Sequence, residues 1–110
     1  MAEAQRVEAV ARQLVARRLL AGFEFAAPAH AIHVWLTLPE PWRREEFAAA
    51  ARRRGVGVAP ADAFAIGRAP VPHAVRVCLT APRERVQVER ALSELVRLLR
   101  EGPGGGMAMV

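Results

Sequence analysis

A chain of 110 residues is long enough for one domain with a single modest core and too short for a large multidomain enzyme. Hydrophobic residues make up 53% and charged residues 25%, and the apolar positions recur with helix and strand periods, which excludes a disordered chain. The net charge of +5 raises nucleic acid as a partner, but all sixteen cations are Arg, spread over three predicted helices and several loops without interleaved aromatics. With 23 alanines and one Asp, that usage reads as the bias of GC-rich codons and is a weak pointer to a nucleic-acid surface.

Residues 3–21 read as a helix, with Val7, Val10, Ala11, Leu14 and Val15 at helical spacing and Gly22 placed as its C-terminal cap. That stripe either closes the domain's own core or meets a neighbouring domain. Residues 23–29 form a connector, since Pro28 argues against regular structure. Residues 31–38 follow as a strand with Ile32, Val34, Leu36 and Leu38 on one face and His33, Trp35 and Thr37 on the other. A large aromatic such as Trp35 on the face away from the core tends to be covered by something. After the stiff turn Pro39-Glu40-Pro41, residues 42–54 read as a second helix, acidic early and basic late, ended by Gly55.

The stretch from Val56 to Thr80 organises the rest. A short strand at 56–59 leads into a Pro- and Gly-punctuated loop at 60–72, in which Phe64 and Ile66 tuck towards the sheet edge. A strand at 74–80 then places Val75, Val77 and Leu79 on the core face and Arg76, Cys78 and Thr80 on the other. Arg76 thus sits mid-strand on the open side, where a planar guanidinium matches a carboxylate or phosphate bidentately. The alternative is an arginine on the solvent face of an edge strand. Arg68 in the loop is a second cation within reach. Thr80-Ala81-Pro82 opens the last helix, whose Val88, Leu92, Leu95, Val96 and Leu99 form a stripe that covers the sheet, with Arg90 and Glu94 paired outside. Residues 102–110, rich in glycine, are expected to be a disordered tail. The expected fold is α/β (α+β), in the order α-β-α-β-β-α: a small, mostly antiparallel three-stranded sheet with helices mainly on one face.

The lone cysteine excludes an internal disulfide and a Cys-based zinc site, and it fits a reducing cytoplasm. No secretory charge pattern and no bilayer-length apolar run is present, so a cytoplasmic protein without a membrane partner is expected. His30 and His33 lack the carboxylate neighbours a metal site needs.

The run HVWLTLPEPW, then GVGVAPADAFAIGRAPVPHAVRVCL, then an amphipathic helix, resembles the C-terminal small domain of fold-type I PLP-dependent aminotransferases. It is most similar to the aminotransferase-like part of MocR-type regulators of the GntR family, over roughly residues 7–99. The resemblance implies that Arg76, in the V/I-R-L/V-x-L strand, binds the carboxylate of an amino acid. It also implies that Phe64 and Trp35 line the site and that residues 1–22 are the helix leading into a small domain at 23–101. The family's frequent Pro-Gly-x-x-Phe reads here Pro60-Ala61-Asp62-Ala63-Phe64, with the Gly replaced. In such proteins pyridoxal phosphate is held by a Lys on a large domain, the assembly is a homodimer, and a regulator meets DNA through a separate winged-helix domain. This chain has no Lys, so it is expected to hold no cofactor and to catalyse nothing alone, as an isolated or truncated small domain. The other reading is a stand-alone interaction module that uses the Trp35 face; nonspecific nucleic-acid binding is weaker.

Overall fold

The computed structural model describes residues 2–28, 31–64, 67 and 70–104. Its elements run α1 (Glu3–Leu19), β1 (Phe25–Ala26), β2 (His33–Thr37), α2 (Arg44–Arg53), β3 (Ala59–Pro60), a 3-10 turn (Ala61–Phe64), β4 (Ala74–Cys78) and α3 (Arg85–Glu101). The four strands form one sheet in the order β1-β2-β4-β3, and every neighbouring pair is antiparallel. The two strands with clean alternation, β2 and β4, are its centre, in a register that sets Trp35 opposite Arg76 and His33 opposite Cys78.

All three helices feed one core on one side of the sheet. Val34, Leu36, Val75, Val77 and Leu79 face Ala16, Leu20, Phe47, Ala51, Val88, Leu92 and Leu95. The last three are the expected α3 stripe, and each is all but fully buried. The opposite face carries His33, Trp35, Thr37, Arg76 and Cys78, all partly open. An α/β sheet with helices on one side is therefore what forms, with four strands where three were expected. The extra strand, β1, is two residues from the presumed connector, held by pairing Phe25 with Leu36 and Ala26 with Trp35. Two residues have no readable period, so only the partner strand defines them.

Other boundaries differ for reasons visible in the hydrogen bonds. The strand expected at 56–59 reduces to Ala59–Pro60, because the Val56 N–H returns 2.9 Å to the Ala51 carbonyl and finishes α2. Gly55 then takes φ +81°, the left-handed conformation that suits glycine after a helix end. Helix α1 caps at Leu20, so Gly22 is not its cap. The last helix starts five residues after Thr80, with Glu84 at the cap and the Gln87 side chain accepting the Glu84 N–H at 3.0 Å. The carbonyls that would have opened an earlier helix are taken by an arginine of α1.

That arginine, Arg12, also corrects the reading of α1. Val7, Val10 and Leu14 are 60%, 39% and 62% exposed, so these members of the apolar stripe face away from this core, while Val15 at its edge packs partly against it. The inward face is Ala9, Arg12, Gln13 and Ala16. Arg12 is only 6% exposed. Its guanidinium donates to the carbonyls of Leu79 at 2.8 Å, Pro82 at 2.7 Å and Arg83 at 3.0 Å, and to the Glu8 carboxylate at 2.9 Å. Gln13 donates to Pro28 at 2.5 Å and to Ala31 at 3.2 Å. Helix α1 is thus moored by polar side chains on the turn before α3 and the loop before β2. Glu8 also accepts from Arg85 at 2.8 Å, which ties α1 to the first turn of α3.

Candidate functional site

The central strands bring together the three residues singled out from the sequence. Arg76 projects from the middle of β4 on the open face, beside Trp35, its cross-strand partner on β2. The 3-10 turn after β3 swings Phe64 over the same spot, so that the Arg76 guanidinium carbon lies 3.9 Å from the centre of the Phe64 ring. Trp35 meets Phe64 edge to face, with centroids 5.9 Å apart. A cation on an aromatic face gains roughly 0.5–2 kcal/mol, and the stack also limits the rotamers of a long side chain. Among the described residues the Arg76 guanidinium donates no hydrogen bond and forms no ion pair. The Phe64 ring and the strand limit the directions in which its donors point.

Arg44, at the start of α2, holds the loop that carries Phe64. It donates to the Pro72 carbonyl at 3.1 Å and pairs with the Asp62 carboxylate at 3.3 Å, joining the two ends of the loop to one helix turn. Nothing in the sequence marked Arg44 for this work. Among acidic residues early in a loop and basic ones early in a helix, only the three-dimensional path shows which meet.

Between this loop, β1 and the open sheet face runs a groove of about 620 Å³. Its described walls are mostly apolar: Phe25, Ala26, Trp35, Phe64, Val71 and Ala74 among them, with Glu24 and Thr37 as the polar groups. Trp35 and Phe64 thus wall both the groove and the Arg76 guanidinium.

The other end of the open face is more polar. Burial, and secondarily the Arg76 charge, lower the proton affinity of His33. Burial pushes the Cys78 thiol up, but hydrogen bonds from the Thr80 hydroxyl and from the Thr80 and Ala81 N–H groups, with the Arg76 charge, outweigh it and hold the thiol below its usual range. Among the described residues no three His, Cys, Asp or Glu side chains gather for a metal. No described helix is long and apolar enough to cross a membrane. The Arg90–Glu94 pair does not form; Glu94 instead meets Arg54 at 3.4 Å and Arg97 at 3.7 Å. Arg54 also pairs with Glu101, so the basic end of α2 is partly a clasp onto α3. Ile66, Arg68, His30 and residues 105–110 of the tail lie outside the described residues.

No family model matches the sequence. The chain is 34% identical over 97 residues to the uncharacterized HTH-type transcriptional regulator YdeF of Bacillus subtilis (strain 168), a match that takes in 88% of this chain and 21% of the regulator. An archaeal alanine:glyoxylate aminotransferase superposes with a TM-score of 0.67 at 24% identity, over 82% of this chain and 22% of that one. A probable N-succinyldiaminopimelate aminotransferase from Thermus thermophilus superposes with a TM-score of 0.61 at 27% identity, over 78% of this chain and 23% of that one. The chain spans about a fifth of the length of each of these relatives. It has an aminotransferase-like fold and a sequence similar to part of a helix-turn-helix regulator. The resemblance to the aminotransferase-like part of such a regulator is therefore borne out.

Proposed function

We propose that this chain acts as the small domain of an aminotransferase-like protein of the MocR regulator type, and that Arg76 is its anchor for the carboxylate of an amino acid. The observation that carries the reading is the Arg76 guanidinium itself: fixed on a central strand, stacked on Phe64, flanked by Trp35, and without an anion among the described residues. A carboxylate is the planar acceptor that such a fork meets with two parallel hydrogen bonds. Trp35 and Phe64 line the place where it would lie and keep water from its edges.

The residues present do not fit pyridoxal phosphate by themselves. All sixteen cations are Arg, so no side chain supplies the amine on which that cofactor is carried in this fold. In this reading the cofactor belongs to a large domain across the cleft, and this chain contributes one wall. Amino-acid binding would draw the two walls together, and in a regulator that movement would reach a DNA-binding domain. The longer protein would be cytoplasmic and, like its family, a homodimer.

The test is made on that longer protein. With Arg76→Gln, the amino-acid-dependent change in cofactor absorbance should require roughly 30-fold more amino acid, the equivalent of about 2 kcal/mol for a charge-assisted pair. An unchanged affinity overturns the role of Arg76. Absence of any cofactor-bearing domain, on the same chain or a partner, overturns the small-domain reading.

A further inference from the structure

We propose that the groove beside Arg76 is the subsite for the rest of the ligand, and that the anion Arg76 takes is a carboxylate bearing a bulky apolar group, as in an aliphatic or aromatic amino acid. This rests on the reading of Arg76 as a carboxylate anchor and adds the class of ligand.

Three observations carry it. The first is continuity. Trp35 and Phe64 are walls of both places, and Ala74 lies two residues before Arg76 on the same face of β4, about 7 Å along the strand. Ala74, 4% exposed, forms a closed apolar floor at that end of the groove, with no long side chain to fill it. The second is chemistry. The described lining holds no cation, so a second carboxylate placed in the groove would lose water without gaining a partner. Glu24, the only charge among the described lining, is exposed at the rim, where it repels a distal carboxylate and gives a distal ammonium only a screened contact. The third is that two of the walls are anchored on α2. Arg44 ties Asp62 and Pro72 to that helix, and these residues stand next to the wall residues Phe64 and Val71, which lowers the cost of ordering those two on binding. A groove of about 620 Å³ is within the range of small-molecule sites, and its apolar walls adjoin the Arg76 guanidinium through Trp35 and Phe64, an arrangement that suits an amphipathic anion.

The experiment uses the 110-residue chain, followed by nuclear magnetic resonance during titration with acetate, glutarate, 4-methylpentanoate and 3-phenylpropionate. The indole N–H of Trp35 reports on the site, and that of Trp42, buried in the core, serves as an internal control. The two apolar carboxylates should bind about tenfold more tightly than acetate, as burial of several methylene groups implies, and glutarate no more tightly than acetate. Val71→Thr, isosteric and uncharged, should narrow the gap between the apolar carboxylates and acetate. Arg76→Gln should weaken all four. If acetate and 3-phenylpropionate bind Arg76 equally, or glutarate binds best, the subsite is overturned while the anchor stands. If the apolar ligands bind without regard to Arg76→Gln, the coupling of groove and anchor is overturned. If no carboxylate perturbs Arg76, the anchor falls and the subsite with it.

Discussion

Replacing Arg12 by Met tests whether α1 is moored by polar contacts. Methionine recovers most of the buried apolar stem, so what disappears is the guanidinium and its four hydrogen bonds. The Leu79 carbonyl is left in a buried place with its arginine partner gone, at a cost of about 2 kcal/mol. The Pro82 and Arg83 carbonyls are half open, so water replaces part of what is lost, and each adds about 0.5 kcal/mol. The part-buried contact to Glu8 adds less, because Glu8 keeps its hydrogen bonds from Arg85 and reaches solvent. The sum is about 3 kcal/mol, a large share of the roughly 5–15 kcal/mol that holds a domain of this size. Denaturant unfolding should show the midpoint falling with the slope unchanged, and heating should show a melting temperature about 10–15 °C lower. A loss under 1 kcal/mol would refute the mooring and place the docking of α1 in apolar contacts.

Two further outcomes follow from the same helix. Hydrogen bonds from Arg85 and then Arg12 hold the Glu8 carboxyl at about 2, down from 4.5, so its folded form resists protonation. The stability this adds is complete above pH 4.5 and is lost as the pH falls through about 2. Glu8→Gln should therefore melt below the wild type at neutral pH, and the gap should close between those limits; a gap independent of pH removes the linkage. Leu14→Gln, at an exposed position with similar helix propensity, should shift stability by no more than about 0.5 kcal/mol in chemical unfolding, whereas a loss above 2 kcal/mol would show that the stripe belongs to the core.

Strong periods carried their message. The alternation in β2 and β4 and the stripe of α3 name the core side and the open side correctly, because each side chain's direction follows from its parity or its turn. Helix α1 misled for a physical reason. Val7, Val10 and Leu14 make the more hydrophobic face, but the side that packs is built largely of small alanines, with Val15 at its edge, and of two polar side chains whose backbone acceptors lie some 15 to 71 residues away in the chain. No local pattern encodes an acceptor at that distance. The site divides in the same way. Arg76 and Trp35 were legible as open-face residues of two strands, and the resemblance pointed to Phe64. Their meeting depends on where the Ala61–Phe64 turn sits and on Arg44, which binds that turn's Asp62 to α2.

Helix α1 also keeps two jobs on separate sets of atoms. Its attachment to the domain is made by Arg12, Gln13 and Glu8 together with the buried Ala9 and Ala16, while the largely exposed Val7, Val10 and Leu14 contribute little to it. The outward surface can therefore drift in sequence without loosening the helix, and the mooring can be tuned without altering what the helix displays. A single secondary-structure element thus offers evolution, or an engineer, two independent dials.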